Sequence, residues 1–296
     1  MQNNSSSLNN ITELNLALNL ASDMRFYAFS MMEITTENGI VLKNEITKTV
    51  HSTILKSGHE TFSLQIESFD IELKNRTFSI SEKEFLTRIA EVNDNILIQI
   101  NDLGQIQKLL NHKEIQQRLE EKIARLSKSN VGEKVEASFQ YLRDFYKDQK
   151  KIMLDAKNYK QYGLFLHALH GKYTPETSKN RTVRYLNFME NTVVNIEEQA
   201  KVKKIKINNR EVEVAVSGRF IEPFYESMFL KSMQQKQITY TENDKINLDK
   251  YEGDFIIDID SGILKNASLF IAFSFGNNYK KTISYQLNEL KDADNN

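Results

Sequence analysis

Apolar and polar positions alternate most regularly near the C-terminal end of the chain. In residues 254–260, Phe255, Ile257 and Ile259 share one parity, while the three Asp residues 254, 258 and 260 share the other, and Ser261-Gly262 then interrupts the pattern. A second run, 267–275, and a third, 283–287, repeat the alternation on either side of the turn Gly276-Asn277-Asn278. Period-two alternation interrupted by Gly and Asn is typical of an antiparallel meander with one buried face.

The N-terminal part shows the same period. Residues 26–35 and 40–55 are joined by Asn38-Gly39, a strong signal for a two-residue hairpin because both positions tolerate positive φ. A third strand, 61–73, changes the parity of its apolar positions near Ser68. We therefore expect a β-bulge or a sharp bend there.

The middle of the chain, residues 111–171, changes to helical spacing. Ser81 with Glu84 predicts a capping box for a short helix before it, and Asn111 with Glu114 predicts a second one. Three amphipathic stripes follow, and each predicts a helix. Their apolar residues are Ile115, Leu119, Ile123 and Leu126; then Val135, Phe139, Leu142, Phe145 and Tyr146; then Tyr159, Tyr162, Phe165, Leu166 and Leu169.

Further β patterns follow the helical region. They predict strands over 183–189, 193–198, 202–207 and 212–220, then a short helix or crossover over 223–233, and short edge strands over 238–240 and 246–248. The predicted fold class is therefore α+β: a large curved antiparallel β-sheet, or half-barrel, with the helical segment packed on it.

No Pro-, Gly- or Ser-rich linker divides the chain, so we expect one domain over 26–290. Its predicted parts are a β-rich half over 26–110, the helical insertion over 111–171 and a β-rich half over 181–290. A flexible arm is expected over 1–25 and a disordered tail over 291–296. The meander is expected to form one edge of the sheet.

The composition of the chain limits the classes of partner, the types of site and the location that we expect. The 39 basic and 40 acidic residues give a formal net charge of -1, which does not favour a nucleic-acid partner. The absence of Cys excludes disulfides and thiolate sites. The N-terminus lacks the pattern of a signal peptide and no window suits a transmembrane segment, so a cytoplasmic protein is expected.

Two short segments resemble bacterial half-barrel proteins, the lipoprotein-carrier-like folds and related uncharacterised families of Bacteroidetes-type bacteria. The first is the hairpin around Asp258-Ile259-Asp260-Ser261-Gly262, which is similar to their D-x-x-x-G-x-L/I hairpin. The second is Asp102-Leu103-Gly104 with the helix start at Asn111. The resemblance implies the half-barrel shape; members of these families are typically exported with a leader and an anchoring cysteine, which this chain lacks.

Candidate chemistry is sparse. His167 and His170 are three residues apart in a predicted helix, a spacing that suits two metal ligands, but no acidic third ligand has a fixed offset. We therefore assign no metal, no catalytic residues and no cofactor. The acidic positions Asp254, Asp258 and Asp260 are interpreted as a solvated face that resists edge pairing. Glycine-rich phosphate loops and the GxSxG elbow are absent.

The chain has 17 Phe and 12 Tyr, enough to line an apolar cavity between sheet and helices. The same residues would also serve as an ordinary core between sheet and helices, which a protein of this size needs, and the sequence leaves both interpretations open. The predicted ligand-binding residues are Phe255, Leu269, Ile271, Phe273 and Tyr285 on the sheet, with Phe139, Phe145, Tyr162 and Phe165 on the helices.

These observations favour a non-enzymatic, chaperone-like binding protein that shelters an apolar ligand or a client's hydrophobic segment, with a role in secretion as one setting. The first alternative is a structural or assembly component of a larger bacterial secretion or injection complex. The second is a hydrolase whose site has no recognisable motif.

Overall fold

A computed structural model describes most of the chain. It covers residues 13–75, 80–157, 159–160, 162–167, 169–174, 178–189, 192–221 and 226–290. The predicted tail, 291–296, and residues 1–12 of the predicted arm therefore lie outside the described residues, whereas residues 13–25 of the arm are described. No helix in the described part of the chain is long and apolar enough to cross a membrane.

Strands dominate the described residues. They are β1 (Leu14–Leu16), β2 (Ser22–Glu37), β3 (Ile40–Lys56), β4 (Thr61–Asn75), β5 (Asn95–Asn101), β6 (Ile106–Leu109), β7 (Gly171–Tyr173), β8 (Lys179–Met189), β9 (Thr192–Lys206), β10 (Glu211–Phe220), β11 (Ile246–Asp258), β12 (Leu264–Phe275) and β13 (Tyr279–Leu290). The helices are α1 (Ile80–Ala90), α2 (His112–Leu126), α3 (Glu133–Tyr146), α4 (Gln149–Ala156) and α5 (Glu226–Gln235).

Eleven strands form one open sheet in the order β6-β5-β4-β3-β2-β13-β12-β11-β10-β9-β8, and β1 pairs with β7 separately. The predicted α+β class with a large antiparallel sheet is confirmed. The predicted place of the meander is wrong, because β11, β12 and β13 lie inside the order and the edges are β6 and β8. Alternation along a strand reveals its hairpin partners, whereas the distant pairing of β13 with β2 leaves no local signal.

The backbone conformations at the first hairpin and at the irregularity in β4 agree with those that the sequence predicts. Asn38 and Gly39 have φ of 48° and 83°, as the Asn-Gly hairpin requires. The irregularity predicted near Ser68 is confirmed, since Ser68 is buried, Phe69 is 44% exposed and Asp70 has φ of 53°. Because Asp70 has a left-handed backbone conformation, the side chains of β4 that follow it change faces of the sheet.

Contacts between residues divide the chain into two compact units. Unit 1 comprises residues 1–19, 30–45 and 169–288, and unit 2 comprises 20–29, 46–168 and 289–296. In unit 2 the helical segment packs on strands, with α1 against β4 and α4 against β6. The predicted single domain over 26–290 stays a prediction.

The helical region differs from the prediction in its third piece. Residues 157–170 form turns rather than a helix where they are described. The Tyr162 hydroxyl donates to the main-chain oxygen of Asn93 and lies 3.2 Å from Ser68 Oγ. Tertiary contacts of the buried aromatic residues thus override the helical spacing.

Four other predictions need correction or qualification. Helix α1 begins at Ile80, so Ser81 lies inside the helix rather than at its N-cap. Asn111 is the N-cap of α2, but its side chain makes no capping bond. Residues 238–240 are not a strand, residues 246–248 begin the long internal strand β11, and the helix expected over 223–233 is α5.

Candidate functional site

The five sheet residues predicted to bind a ligand share one buried face in unit 1. Their exposed fractions run from 0% to 4%. Leu269 pairs across strands with Tyr285, and Phe273 with Leu248. Alternation in β12 and β13 therefore places Leu269, Ile271, Phe273 and Tyr285 on the face that also carries Phe255 of β11.

This buried face continues across β9 and β10. We call the whole surface the inner face, and it consists of Val194, Ile196, Val202, Ile205, Val212, Val214, Val216, Tyr251, Phe255, Ile257, Ala267, Leu269, Ile271, Phe273, Ile283, Tyr285 and Leu287. Five adjacent strands thus contribute one continuous set of apolar side chains. The set is larger than the five residues predicted from the meander.

One end of the inner face is covered by aromatic packing within unit 1. Phe229 of α5 meets Phe275 edge-on at 5.1 Å between ring centroids and Tyr279 at 6.0 Å. Tyr240 lies 5.3 Å from Phe275, and Phe273 lies 6.1 Å from Tyr279. Helix α5 therefore serves as a core element at this end.

Two buried ion pairs interrupt the apolar surface of the sheet. Glu198 of β9 is fully buried, and its carboxylate accepts bonds from Arg181 Nε at 2.5 Å and from the Tyr251 hydroxyl at 2.8 Å. Lys281 of β13 lies 3.0 Å from Glu33 of β2, and Asn44 donates to the same carboxylate at 3.2 Å.

Gly218 makes the first of these pairs possible. It faces Glu198 across the β9–β10 ladder, and a Cβ there would lie 2.8 Å from Tyr251 Cδ1 and 2.7 Å from Ile196 Cγ2. Only a residue without a side chain lets the Tyr251 ring cross β10 towards Glu198. The sequence analysis missed this arrangement, although Gly within a strand pattern is a signal for close approach.

The four predicted helix-side residues lie in unit 2 and contact four different neighbours. Phe139 is stacked on Phe85 at 6.0 Å, and Phe145 meets Tyr146 at 5.3 Å. Phe165 meets Tyr27 edge-on at 4.8 Å, and the Tyr162 ring lies 4.7 Å from Lys48 Nζ. Phe139 and Tyr162 are buried, whereas Phe145 and Phe165 are partly exposed. The assignment of all nine residues to ligand binding stays a prediction.

Lys48 is a buried amine that the sequence analysis did not single out. It belongs to the buried face of β3, and its ammonium lies over the rings of Phe29, at 5.0 Å, and of Tyr162. Burial lowers the pKa of Lys48 from 10.5 to about 7. Strand alternation places Lys48 at a core position, a conflict that was visible in the sequence.

The histidines do not form a metal site in the described residues, where no group of three or more His, Asp or Glu side chains could hold an ion. His167 and His170 lie outside any helix, so the predicted i, i+3 pair on a helix is wrong. His167 Nδ1 is 2.8 Å from the Tyr159 hydroxyl, and His170 Nε2 is 2.7 Å from the Gly262 carbonyl oxygen.

The acidic positions of β11 and of the turn that follows it have polar or charged partners. Asp254 Oδ1 is 3.1 Å from Lys203 Nζ, and Asp260 pairs with Arg210. Asp258 accepts from Ser261 and lies 3.4 Å from Lys265. The interpretation of these residues as edge protection is wrong, since β11 has a partner strand on both sides.

Comparisons with known proteins add little to this geometry. No family model and no curated protein matches the chain. A solved structure described as "Lipid-protein interactions in lipovitellin" is similar at a TM-score of 0.46 and 9% identity. The similarity covers 93% of the present chain and 25% of that chain. At this TM-score it carries no argument about function.

Proposed function

We propose that this protein is a non-enzymatic binding protein that shelters an apolar ligand against the inner face. The ligand is an acyl chain of a lipid or an apolar segment of a client protein. A client in transit to secretion is one source of such a segment. The half-barrel resemblance noted in the sequence belongs to the same proposal.

The continuity of the inner face over β9 to β13 carries the proposal. Binding sites for small apolar ligands are mostly apolar, with a few polar groups that fix orientation. The sheet of unit 1 has that composition, because the Glu198 and Glu33 ion pairs are its charged interruptions among the described buried residues of unit 1.

The near-complete burial of the inner face sets a condition on binding. Leu269, Ile271 and Phe273 are at most 1% exposed, so a ligand reaches them only when a covering element moves. Helix α5 is one such element, since it contacts Phe275 and Tyr279 at one end of the face. Binding is therefore expected to be slow compared with binding to an open cleft.

Uptake of an apolar probe tests this proposal. Protein refolded without lipid is titrated with a fluorescent fatty acid, and separately with a fluorescent apolar peptide. We expect saturable binding of one of the two, with displacement by the unlabelled compound. A folded protein that binds neither probe, even after long incubation, contradicts the proposal.

A further inference from the structure

A polar groove lies on the outer face of unit 1, on the side of the sheet opposite the inner face. It has a volume of about 580 Å³ and spans β9, β10 and β11. Its floor is β10, where Ala215 and Ser217 point outward because their neighbours Val214 and Val216 belong to the inner face. Sites for small ligands typically measure about 300–1,000 Å³, so the groove has room for a compact molecule.

The two walls of the groove carry opposite charges. On the β9 side, Lys201 pairs across the strands with Ala215. On the β11 side, Asp254 pairs with the same Ala215, and Glu252 pairs with Ser217. The short side chains of the floor thus separate a basic wall from an acidic wall. This charge pattern is complementary to a molecule that has an anionic group at one end and a cationic group at the other.

One end of the groove is closed by an ion pair of the protein itself. Lys203 of β9 reaches Asp254 of β11, with 3.1 Å between Nζ and Oδ1, and therefore crosses β10. Lys201 forms no ion pair within the described part of the chain. Glu252 lies 2.9 Å from Lys250 of its own strand, and these two side chains are 62% and 46% exposed. Because such an exposed pair contributes little, the charges available to a ligand are those of Lys201 and Glu252.

Strand geometry sets the distance between these two charges. Lys201 and Glu252 are two strands apart and offset by two residues, because they pair with Ala215 and Ser217 respectively. Strands about 4.8 Å apart, with a rise of about 3.4 Å per residue, place the two main-chain positions about 12 Å apart. Side chains in strands stand roughly perpendicular to the sheet. An ionic contact of about 2.8 Å at each end therefore leaves about 6 Å between the charged groups of a ligand.

Two residues of extended peptide span this length. At about 3.3–3.6 Å per residue, the terminal charges of a dipeptide are about 7 Å apart, whereas those of a tetrapeptide are about 13 Å apart. We propose that the groove binds a dipeptide with free termini, with its carboxylate at Lys201 and its ammonium group at Glu252. The Ser217 hydroxyl and the Gln199 amide also line the groove and supply hydrogen bonds for the peptide group. This site does not depend on the apolar ligand proposed for the inner face.

An NMR titration of the full chain tests the site. Amide spectra are recorded with increasing dialanine, and then with alanine, tetra-alanine, N-acetyl-dialanine, dialanine amide and phosphoethanolamine. We expect saturable shifts in β9, β10 and β11 with dialanine, and a Kd in the millimolar range because the groove is open to solvent. Each of the other compounds should bind at least about threefold more weakly, because it lacks a terminal charge or the required spacing.

Two variants with matched controls locate the charges. Lys201→Met and Glu252→Gln should each weaken dialanine binding about three- to tenfold, because each removes one ionic contact. Lys204→Met and Glu242→Gln make the same charge changes at exposed positions outside the groove, and they should leave the Kd unchanged. N-acetyl-dialanine has no ammonium group, so Glu252→Gln should not weaken its binding further.

A folded protein without saturable shifts in dialanine would overturn the proposal. An equal or higher affinity for tetra-alanine or phosphoethanolamine would also overturn it, since the groove would then not select the length and termini of a dipeptide. The same holds for an unchanged Kd in either Lys201→Met or Glu252→Gln. Uptake of the fatty-acid probe is measured on the same variants, and it should remain at the native level because the groove and the inner face lie on opposite sides of the sheet.

Discussion

Charged side chains buried in the sheet are the residues whose environments differ most from ordinary core positions. Lys48 in unit 2, and Glu198 and Lys281 in unit 1, each have an exposed fraction of 8% or less. Each has a different stabilising contact: two aromatic rings, an arginine with a tyrosine, and a glutamate. Substitutions at these positions therefore report on specific contacts rather than on general packing.

Lys48 should make stability depend on pH above neutrality. The folded protein releases its proton near pH 7, whereas the unfolded chain keeps it to about 10.5. Between these values the unfolded state binds more protons, so the free energy of unfolding rises with pH, by at most about 1.4 kcal/mol per unit. The rings of Phe29 and Tyr162 favour the ammonium and so narrow the pH range over which stability rises.

Urea unfolding at pH 7, 8, 9 and 10 measures the contribution of Lys48. Lys48→Met should be more stable than the native protein at pH 7, and the rise with pH should disappear. Lys43→Met, at an exposed position of the same strand, should keep the rise. If Lys48→Met had the same pH dependence as the native protein, Lys48 would not be the titrating group.

The Glu198 pair should be costly to break. Arg181→Met leaves a fully buried carboxylate without its guanidinium, and we expect a loss of about 3 kcal/mol in the free energy of unfolding. Arg219 with Glu197 offers a matched control, because it joins neighbouring residues on the exposed face. Arg219→Met should cost less than about 1 kcal/mol. Equal losses in urea titrations of the two variants would contradict this difference.

At the scale of the elements, helix α2 begins where the sequence predicts, but the side chain at its N-cap has a different physical role from the one predicted. Asn111 is the N-cap as predicted, yet its Oδ1 accepts from the Leu97 amide and its Nδ2 donates to the Asn95 carbonyl. The side chain therefore ties the start of α2 to strand β5. An N-cap tolerates Asp as well as Asn, whereas this bridge needs a donor and an acceptor.

Asn111→Asp distinguishes the two roles of this residue. The change keeps the acceptor for Leu97 but places a carboxylate against the Asn95 carbonyl oxygen, so we expect a loss of about 1–3 kcal/mol. The control is Asp148→Asn at the start of α4, where Asp148 accepts from the Lys150 amide and does cap its helix. That variant should be nearly neutral. A neutral Asn111→Asp in thermal unfolding would restore the capping interpretation.

Local patterns in the sequence predicted the elements better than their arrangement. The Asn38-Gly39 hairpin, the parity change near Ser68 and the alternation of β11 to β13 depend on neighbouring residues, and all three are confirmed. The turns at 157–170 were predicted as a helix because buried tyrosines there have helical spacing. Their hydroxyls bond residues distant in sequence, such as Asn93, which no local pattern shows.

The candidate site was predictable only in part for the same reason. The five residues of the meander were found from alternation, because one face of an antiparallel sheet is apolar. Strands β9 and β10 contribute apolar side chains to the inner face because of their register with β11. The crossing of the Tyr251 ring over Gly218 also depends on this register.

At the scale of the whole molecule, the inner face of unit 1 is the surface on which the proposed function depends. The chain contains no Trp, so a single introduced Trp is the only indole in the protein and its fluorescence reports on that position alone. Tyr285 lies on the inner face opposite Leu269. Phe270, the next residue along β12, is 37% exposed on the other side of the sheet. The two positions therefore sample the two faces at nearly the same place.

The most direct measurement is quenching of Tyr285→Trp and Phe270→Trp by a brominated fatty acid, with the unbrominated acid as control. Bromine quenches an indole only at short range. If the inner face shelters an acyl chain, Tyr285→Trp is quenched saturably by the brominated acid alone, and Phe270→Trp keeps its fluorescence. If folded Tyr285→Trp is not quenched, or both variants are quenched equally, the inner face is not the site of acyl-chain binding.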